Sequence, residues 1–376
     1  MNRFIILAAL ILVFAVSAMA TDTRVMTMGD NNNVLLDEAN IWIYPGRIIE
    51  YPNLAIGEFD SDGFYNFGIN WKLNNDNPWV LGTYFSTEQA YNPGIPNFTP
   101  LNNRRIDLLY GRDMGASNFG MRFSYFNSSE DYEETPPVPG DTVLANESMS
   151  YYNFNLGLTE ETGLWDVAVD LGFGTWTNED DDGIVQNEPD GFYDMAVMGR
   201  YFMQKGPNYT YIPHIGFMTG KLGVQDAVTT MSYKYTAFEA GFGLNYTPSN
   251  NVLAVCDFGF MYGKGKVEDD ASNTEESVTT TVLPYFKIGL DADVFKWMDI
   301  RLGATSYWNK DKYEFTDINN TFKYANNDTY LGFGFHWGNL HVDTYANPSL
   351  FLDGFNFISG ESNSMNYSFS VVYEMM

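Results

Sequence analysis

A nine-residue stretch of the chain reads Tyr65-Asn66-Phe67-Gly68-Ile69-Asn70-Trp71-Lys72-Leu73, with apolar side chains at the odd positions and small or polar ones at the even positions. Successive side chains of a β-strand point to opposite faces, so this alternation predicts a strand with one apolar face and one polar face. The same pattern recurs in 165–174, 299–305 and 367–374. A soluble β-sandwich also alternates, so the pattern alone leaves two architectures open.

Connector lengths separate these architectures. We predict sixteen strands, at 53–59, 64–73, 78–86, 104–112, 118–127, 148–159, 164–176, 191–203, 209–221, 231–247, 251–263, 278–293, 298–309, 328–337, 339–347 and 364–375. Every second connector is short, and most of the others are long, among them 87–103, 127–147, 177–190, 264–277, 310–327 and 348–363. Membrane barrels have short periplasmic turns and long outer loops, whereas a Greek-key sandwich has no reason to keep this parity.

The sequence therefore predicts an all-β fold, a transmembrane antiparallel up-and-down β-barrel with short periplasmic turns and long acidic extracellular loops. Fourteen strands are the alternative to sixteen, if the hairpin around 60–63 lies partly outside the sheet. Pro213 and Pro284 fall within predicted strands and cannot donate to a ladder, so we expect a bulge or a strand end near each. The single cysteine, Cys256, excludes an internal disulfide.

Composition and charge agree with a membrane barrel. Aromatic residues make up 17% of the chain, and charged residues make up 18%, below the roughly 25% of ordinary soluble domains. Such a mixture is typical of strands with an aromatic girdle. A net charge of −28 repels nucleic acid and anionic lipid surfaces, so cations are the expected counter-species.

The N-terminus has the features of a secretory signal peptide. Met1-Asn2-Arg3 precedes an apolar run over 4–16, and Ala18-Met19-Ala20 forms a cleavage site, so we expect cleavage after Ala20. No later apolar run reaches the length of a membrane-spanning helix. We therefore predict a signal peptide at 1–20, an N-terminal segment at 21–52 and a barrel at 53–376, placed in the outer membrane of a Gram-negative bacterium.

Several charged residues fall on the predicted inward face, where a wet lumen tolerates charge. Nine are acidic and six are basic, and they are Lys72, Arg105, Asp107, Arg122, Asp166, Asp170, Asp194, Arg200, Glu239, Asp257, Lys287, Asp291, Asp299, Arg301 and Asp343. Such a wall of mixed sign either acts on permeating solutes as a transverse field or forms a salt-bridged plug. The sequence leaves both alternatives open.

The predicted outer loops 127–147 and 177–190 carry carboxylates and no basic residue. Asp180, Asp181 and Asp182 are weak candidates for a Ca²⁺ site, although no stretch has the full spacing of a calcium loop. A solvated acidic surface is the alternative, and a divalent ion there would equally bridge to anionic surface glycolipid. No other cofactor is expected.

The segment before the barrel contains Met26-Thr27-Met28-Gly29 and a later stretch, 36–46, in which an acidic-Ala step precedes Pro45-Gly46. This order resembles the N-terminal plug of the long-chain fatty-acid transporter (FadL-like) barrels. The resemblance covers about thirty residues, and that family has fourteen strands. It implies a lumenal role for Asp37, Glu38, Asn40 and Trp42 in gating a hydrophobic ligand. The alternative is a periplasmic tail or a lumen filler that only packs.

No enzymatic activity is expected, because the three histidines, His214, His336 and His341, occur without a recognisable nucleophile motif. The leading prediction is a porin-like channel for small solutes that prefers cations. The alternatives are a FadL-like transporter of hydrophobic ligands and a structural or surface-display barrel. Residues 367–376 resemble the closing strand that barrels present to their insertion machinery, although the last residue is Met376 rather than an aromatic. The expected partners are therefore that machinery, outer-membrane lipid and surface glycolipid, and the oligomeric state stays open.

Overall fold

The computed structural model describes residues 22–60, 63–73, 79–88, 103–131, 144–180, 185–226, 230–269, 274–315, 318–346 and 367–375. The first 21 residues, with the predicted signal peptide, lie outside this set. The strands are β1 Leu54–Asp60, β2 Tyr65–Lys72, β3 Trp79–Glu88, β4 Asn103–Asp113, β5 Ser117–Asp131, β6 Leu144–Glu160, β7 Trp165–Asp180, β8 Val185–Tyr201, β9 Tyr209–Asp226, β10 Thr230–Ser249, β11 Val252–Asp269, β12 Thr274–Phe295, β13 Met298–Phe315, β14 Ile318–Trp337, β15 Leu340–Ala346 and β16 Tyr367–Glu374. After a break at Phe202, β8 continues as Met203–Gln204.

These strands form one closed antiparallel sheet. Each strand pairs with the next along the chain, and β1 pairs with β16, so that Leu54 lies opposite Glu374 and Asp60 lies opposite Ser368. The sixteen-stranded barrel predicted from the sequence is confirmed, and the fourteen-stranded alternative is wrong because the first hairpin is part of the sheet. Closure leaves no unpaired edge, as a strand surrounded by hydrocarbon requires.

Side chains alternate between the two faces of the sheet as the period of two demands. In β2, Tyr65, Phe67 and Trp71 are 40%, 43% and 61% exposed, whereas Asn66 and Asn70 are at most 1% exposed. Apolar side chains thus point outward and polar ones point into the barrel. Many inward side chains are buried because the N-terminal segment lies against them.

The two rims of the barrel differ, although not quite as predicted. Short turns at 114–116, 250–251, 296–297 and 338–339 form one rim, as expected. At the other rim, strands run through much of the predicted loops: β7 and β8 extend into 177–190, β11 and β12 into 264–277, and β13 and β14 into 310–327. Alternation ends there because both faces are polar beyond the hydrocarbon, yet the hydrogen-bond ladder continues.

The two prolines disturb the ladder as expected. The register between β12 and β13 shifts between Val282 and Tyr285, on either side of Pro284. Pro213 pairs regularly with Phe242 of β10, but the ladder of β9 with β8 breaks beside it, at Phe202. A proline lacks the N–H that such a ladder needs, so both interruptions follow from the sequence.

The N-terminal segment, residues 22–51, contains α1 Asp22–Thr27 and two 3₁₀ helices, Glu38–Trp42 and Pro45–Glu50. Asp37 caps the first 3₁₀ helix by accepting a hydrogen bond from the Ala39 amide. The proline at the first position of the second 3₁₀ helix needs no N–H partner there. Within the described part of the chain, no helix is long and apolar enough to cross a bilayer.

Candidate functional site

The N-terminal segment follows the inner wall of the barrel once around, from β16 back to β1. The Thr23 hydroxyl is 2.7 Å from the Ser368 hydroxyl of β16. Farther along, the Lys287 ammonium of β12 donates to the Asp30 carboxylate (2.9 Å). Near the end, the Tyr51 carbonyl accepts from the Asn70 amide of β2 (3.0 Å).

Apolar and charged contacts also join distant parts of the segment across the lumen. Arg24 of α1 forms an ion pair with Asp37, which is thirteen positions later. Val25 and Met28 belong to the same buried cluster as Val34 and Ala39. A second buried cluster joins Ile41, Trp42 and Ile48 to inward side chains of β1, β3, β4 and β16. The segment therefore packs on itself as well as on the wall.

A buried ionic cluster around Asp166 of β7 fastens the second 3₁₀ helix to the wall. Arg47 donates to both Asp166 oxygens at 2.9 Å, and Arg200 of β8 donates to Oδ2 at 2.7 Å. The side chains of all three are at most 2% exposed. Arg200 also donates to the Asn32 and Leu35 carbonyls (both 2.9 Å). One wall arginine thus satisfies segment carbonyls that would otherwise be buried without partners.

A second cluster surrounds Arg301 of β13 near the short-turn rim. The Arg301 guanidinium contacts the Asp291 and Asp299 carboxylates (both 3.1 Å) and that of Asp343. Arg24 of the segment reaches the same Asp291 at 3.3 Å. His336 contacts Asp299, and its Nδ1 is 2.7 Å from Nδ1 of His341. These two histidines face each other across the Gly338 turn.

On the β9–β12 side, the contacts are made mostly by uncharged donors. Asn33 of the segment donates to Glu239 of β10 (3.0 Å), and the Tyr285 hydroxyl donates to the same carboxylate (3.1 Å). His214 of β9 lies 2.9 Å from Asp257 of β11. The histidine belongs to this wall network, since its ring also lies 3.4 Å from the Tyr285 hydroxyl and 4.0 Å from the Glu239 carboxylate.

The Trp42 ring makes cation–π contacts with two arginines of the barrel wall. The Arg105 and Arg122 guanidinium carbons lie 5.3 and 5.8 Å from the centre of its ring, and Arg122 donates to its carbonyl (2.7 Å). Asn40 accepts from Arg200 (2.8 Å). Asp37 forms the ion pair with Arg24, and Glu38 lines a cavity at the short-turn rim. All four segment residues named by the resemblance therefore lie inside the barrel.

The remaining predicted residues are also on the wall. Arg105 lies 2.6 Å from Asp107, Arg122 lies 3.3 Å from Asp170, and Asp194 accepts from the Tyr151 hydroxyl (2.5 Å). Lys72 is partly exposed near the short-turn end of β2. Asp181 and Asp182 lie outside the described residues, as does the side chain of Asp180.

Sequence reasoning missed the segment side of these contacts. Arg24, Asp30, Arg47 and Glu50 each contact the wall or one another, but none was singled out. The composition of the segment could have pointed to the two arginines. They are the only basic residues of 22–51, and the predicted wall has more acidic than basic residues, so ion pairs between them could be expected. The segment lacks a regular period, so no local pattern pointed to them.

The outer surface of the barrel is apolar over the band between the rims. Outward-facing Leu108, Val167, Ile215 and Leu302 are all more than a third exposed. At the short-turn rim, the rings of Phe295, Trp297, Phe335 and Trp337 stack in a row, with successive centroids 5.5, 6.2 and 5.6 Å apart. Aromatic girdles of this kind lie at the membrane–water interface. The chain is a β-barrel membrane protein of the outer-membrane type.

Comparisons with known proteins match this barrel only distantly. The CdiB structures from Escherichia coli and Acinetobacter baumannii share 9% and 10% identity with it, at TM-scores of 0.46 and 0.43. Each alignment covers 85% of this chain and 62% or 59% of the other. The ferric citrate transporter FecA shares 9% identity at a TM-score of 0.43, over 78% of this chain and 51% of that one. The chain therefore spans between half and two thirds of these proteins.

No protein-family model and no curated protein matches the sequence. The FadL-like resemblance gains no support, because the barrel has sixteen strands and that family has fourteen.

Inward glycines of the barrel make room for the backbone of the segment. A Cβ at Gly303 of β13 would lie 2.2 Å from the Gly29 nitrogen, and one at Gly120 of β5 would lie 2.1 Å from the Pro45 carbonyl. Because backbone atoms cannot rotate away, any side chain at these positions must displace the segment. The inward-facing Gly216 of β9 is different, since its nearest neighbour would be the Glu239 Cβ at 3.8 Å.

We expect Gly303→Ala to loosen the segment and Gly216→Ala to leave it in place. Both substitutions add one methyl group to an inward strand position, so their effects on strand propensity are matched. The measurement is amide hydrogen exchange over residues 22–51, which should become faster for Gly303→Ala only. Equal behaviour of the two variants would show that the segment does not rest on Gly303.

Glu38 of the segment should make barrel stability depend on pH. Burial, followed by the neighbouring Asp37 carboxylate, raises the pKa of Glu38 well above its ordinary value of 4.5. A raised pKa means that the folded barrel holds this proton more tightly than the unfolded chain. The stability that it contributes is complete below the ordinary pKa and is lost as the pH rises through the raised one.

Glu38→Gln should therefore have a higher free energy of unfolding than the parent at pH 8. The difference should vanish at about pH 4, where the carboxyl is largely protonated in both the folded and the unfolded chain. Urea unfolding in lipid vesicles at several pH values measures the difference. A Glu38→Gln variant that loses stability at pH 8 would show that attraction to Arg24 outweighs the cost of burying the carboxylate.

Proposed function

We propose that the barrel is a channel for small solutes, closed in this conformation by residues 22–51 and opened when they leave the wall. The observation that carries the proposal is the polar inner wall of a sixteen-stranded barrel, occupied by a terminal segment that joins the wall covalently only where it leads into β1. Unfilled barrels of this size enclose water. Charged side chains cost free energy on a surface that never contacts water, so a charged inner wall favours a lumen that can fill with water.

The charges that face the lumen favour cations. The wall residues named above include nine acidic and six basic ones, and they remain when residues 22–51 leave the wall. Five of the six basic wall residues form ion pairs in the closed state. An opened lumen therefore keeps an excess of carboxylates, which lowers the energy of a permeating cation and raises that of an anion.

Current through a planar bilayer that separates two KCl concentrations tests this function. Refolded protein should show discrete openings, and the reversal potential should have the sign of K⁺ selectivity. A reversal potential of the opposite sign contradicts the cation preference, and a lipid-inserted barrel without any openings contradicts the channel. Fatty-acid binding without current would instead support the hydrophobic-ligand transporter.

A structural or surface-display barrel is the second candidate. The two buried apolar clusters that join the segment to the wall favour it, since they hold the lumen closed. This candidate predicts silence in both assays. Four predictions stay the same under either function. They are the location of the protein in the bacterial outer membrane, its contact with surface glycolipid, its delivery by insertion machinery and the absence of enzymatic activity.

A further inference from the structure

A cavity of about 750 Å³ opens at the short-turn rim, between the N-terminal segment and the ends of β1, β12 and β16. Its volume lies within the range of small-molecule sites, which is about 300 to 1,000 Å³. Seven carboxyl groups line it, against three basic groups and two histidines. The carboxyl groups are Glu38, Glu50, Asp291, Asp293, Asp299, Asp343 and Glu374.

The basic groups of the cavity do not neutralise this excess. Arg301 is shared among Asp291, Asp299 and Asp343, and Arg24 is shared between Asp37 and Asp291. For Glu38 and Asp293, the described part of the chain provides no ion pair. The site therefore has acceptor oxygens without cationic partners.

Three of these carboxylates converge. Oxygens of Asp291, Asp293 and Asp299 lie within 4.8 Å of one another. Asp291 and Asp299 share Arg301, and Asp291 also contacts Arg24. Like charges this close raise the energy of the site, so a bound cation would stabilise the arrangement.

The rest of the cavity wall is apolar. Tyr51, Pro52, Leu54, Phe295, Val372 and Met375 line it together with the charged groups. A bare metal ion would contact none of these side chains and would occupy a small part of the volume. An organic cation uses both parts of the wall, because its charged head can donate to the carboxylates while its hydrocarbon body packs on the apolar side.

We propose that this cavity binds a small organic cation, a primary ammonium group carried on an apolar body. The ammonium group supplies three donors, which suits a wall lined by several carboxylates, Glu38 and Asp293 among them. The raised pKa of Glu38 agrees with this proposal, since a carboxyl without a cation holds its proton. Binding at equilibrium requires no passage through the barrel, so the proposal is independent of the channel activity.

Isothermal titration calorimetry of the refolded full-length chain with benzylamine tests the proposal. Benzyl alcohol, which has the same ring without a charge, and benzoate, which has the opposite charge, are matched ligands. We expect saturable benzylamine binding at pH 7, and affinities at least about tenfold weaker for the other two, as expected for the loss of a charged hydrogen bond.

Two variants locate the binding site. Glu38→Gln should weaken benzylamine binding by about tenfold, whereas Glu161→Gln, an exposed residue of another turn on the same rim, should have no effect. Because Glu38→Gln is expected to stabilise the barrel, lost affinity cannot come from misfolding. Equal binding of benzyl alcohol, an unchanged affinity of Glu38→Gln, or binding of CaCl₂ without binding of benzylamine would each overturn the proposal.

Discussion

Deletion of residues 22–51 is expected to raise the single-channel conductance of the refolded barrel by about tenfold or more, because sixteen strands enclose an aqueous channel when nothing fills it. The deletion removes Trp42, Ile41 and Ile48, which are buried against inward side chains, and also both segment arginines. No strand is lost, since β1 begins at Leu54. The measurement is the current step of single openings in KCl.

The deletion also removes buried contacts, so its folding must be checked separately. A folded β-barrel in detergent migrates differently in electrophoresis before and after heating, and circular dichroism reports its strand content. A deletion variant that passes both checks and conducts no better than the parent would contradict the idea that the segment blocks the lumen.

The second large effect is expected for Asp166→Ala, which should lower the free energy of unfolding by about 3 to 5 kcal/mol. Asp166 is fully buried and accepts hydrogen bonds from Arg47, Arg200 and Thr159. Its removal leaves two guanidinium groups in the interior, and only Arg47 keeps another carboxylate, that of Glu50. Urea unfolding in lipid vesicles, followed by tryptophan fluorescence, measures the loss.

Two further variants separate the effect of charge from that of packing. Asp328→Ala removes a carboxylate from an exposed position of β14 and should change stability by less than about 0.5 kcal/mol. Asp166→Asn keeps the size of the side chain and one acceptor oxygen but removes the charge, so it should lose much of the stability that Asp166→Ala loses. Arg200 keeps its hydrogen bonds to the Asn32 and Leu35 carbonyls in both variants. If Asp166→Asn is as stable as the parent, the ionic explanation is wrong.

The strands could be predicted from the sequence wherever lipid enforces an apolar face. β2 was placed to within a residue or so, because Tyr65 to Trp71 alternate without interruption. β13 was predicted to end near 309 but continues to Phe315, since Lys310 and Lys312 are exposed outside the apolar band. A ladder of backbone hydrogen bonds needs no apolar side chains, so the pattern stops before the strand does.

The candidate site could be predicted only in part, for a similar physical reason. Wall charges such as Asp166 and Arg301 follow from their place in an alternating strand. Their partners do not, because the Arg47–Asp166 pair joins residues 119 positions apart. The segment is also held by side-chain donors to its carbonyls, as with Arg200, and such contacts leave no periodic trace in the sequence.

A reversible disulfide between the segment and the wall tests whether the segment must leave the wall for the barrel to conduct. Thr23→Cys and Ser368→Cys, introduced together with Cys256→Ala, place two thiols where hydroxyl oxygens are 2.7 Å apart, close enough for a disulfide. We predict that oxidation abolishes openings in a planar bilayer and that reductant restores them, while each single-cysteine variant conducts throughout. Openings of the same size and frequency in the cross-linked and reduced protein would contradict the claim that the segment must leave the wall for the barrel to conduct.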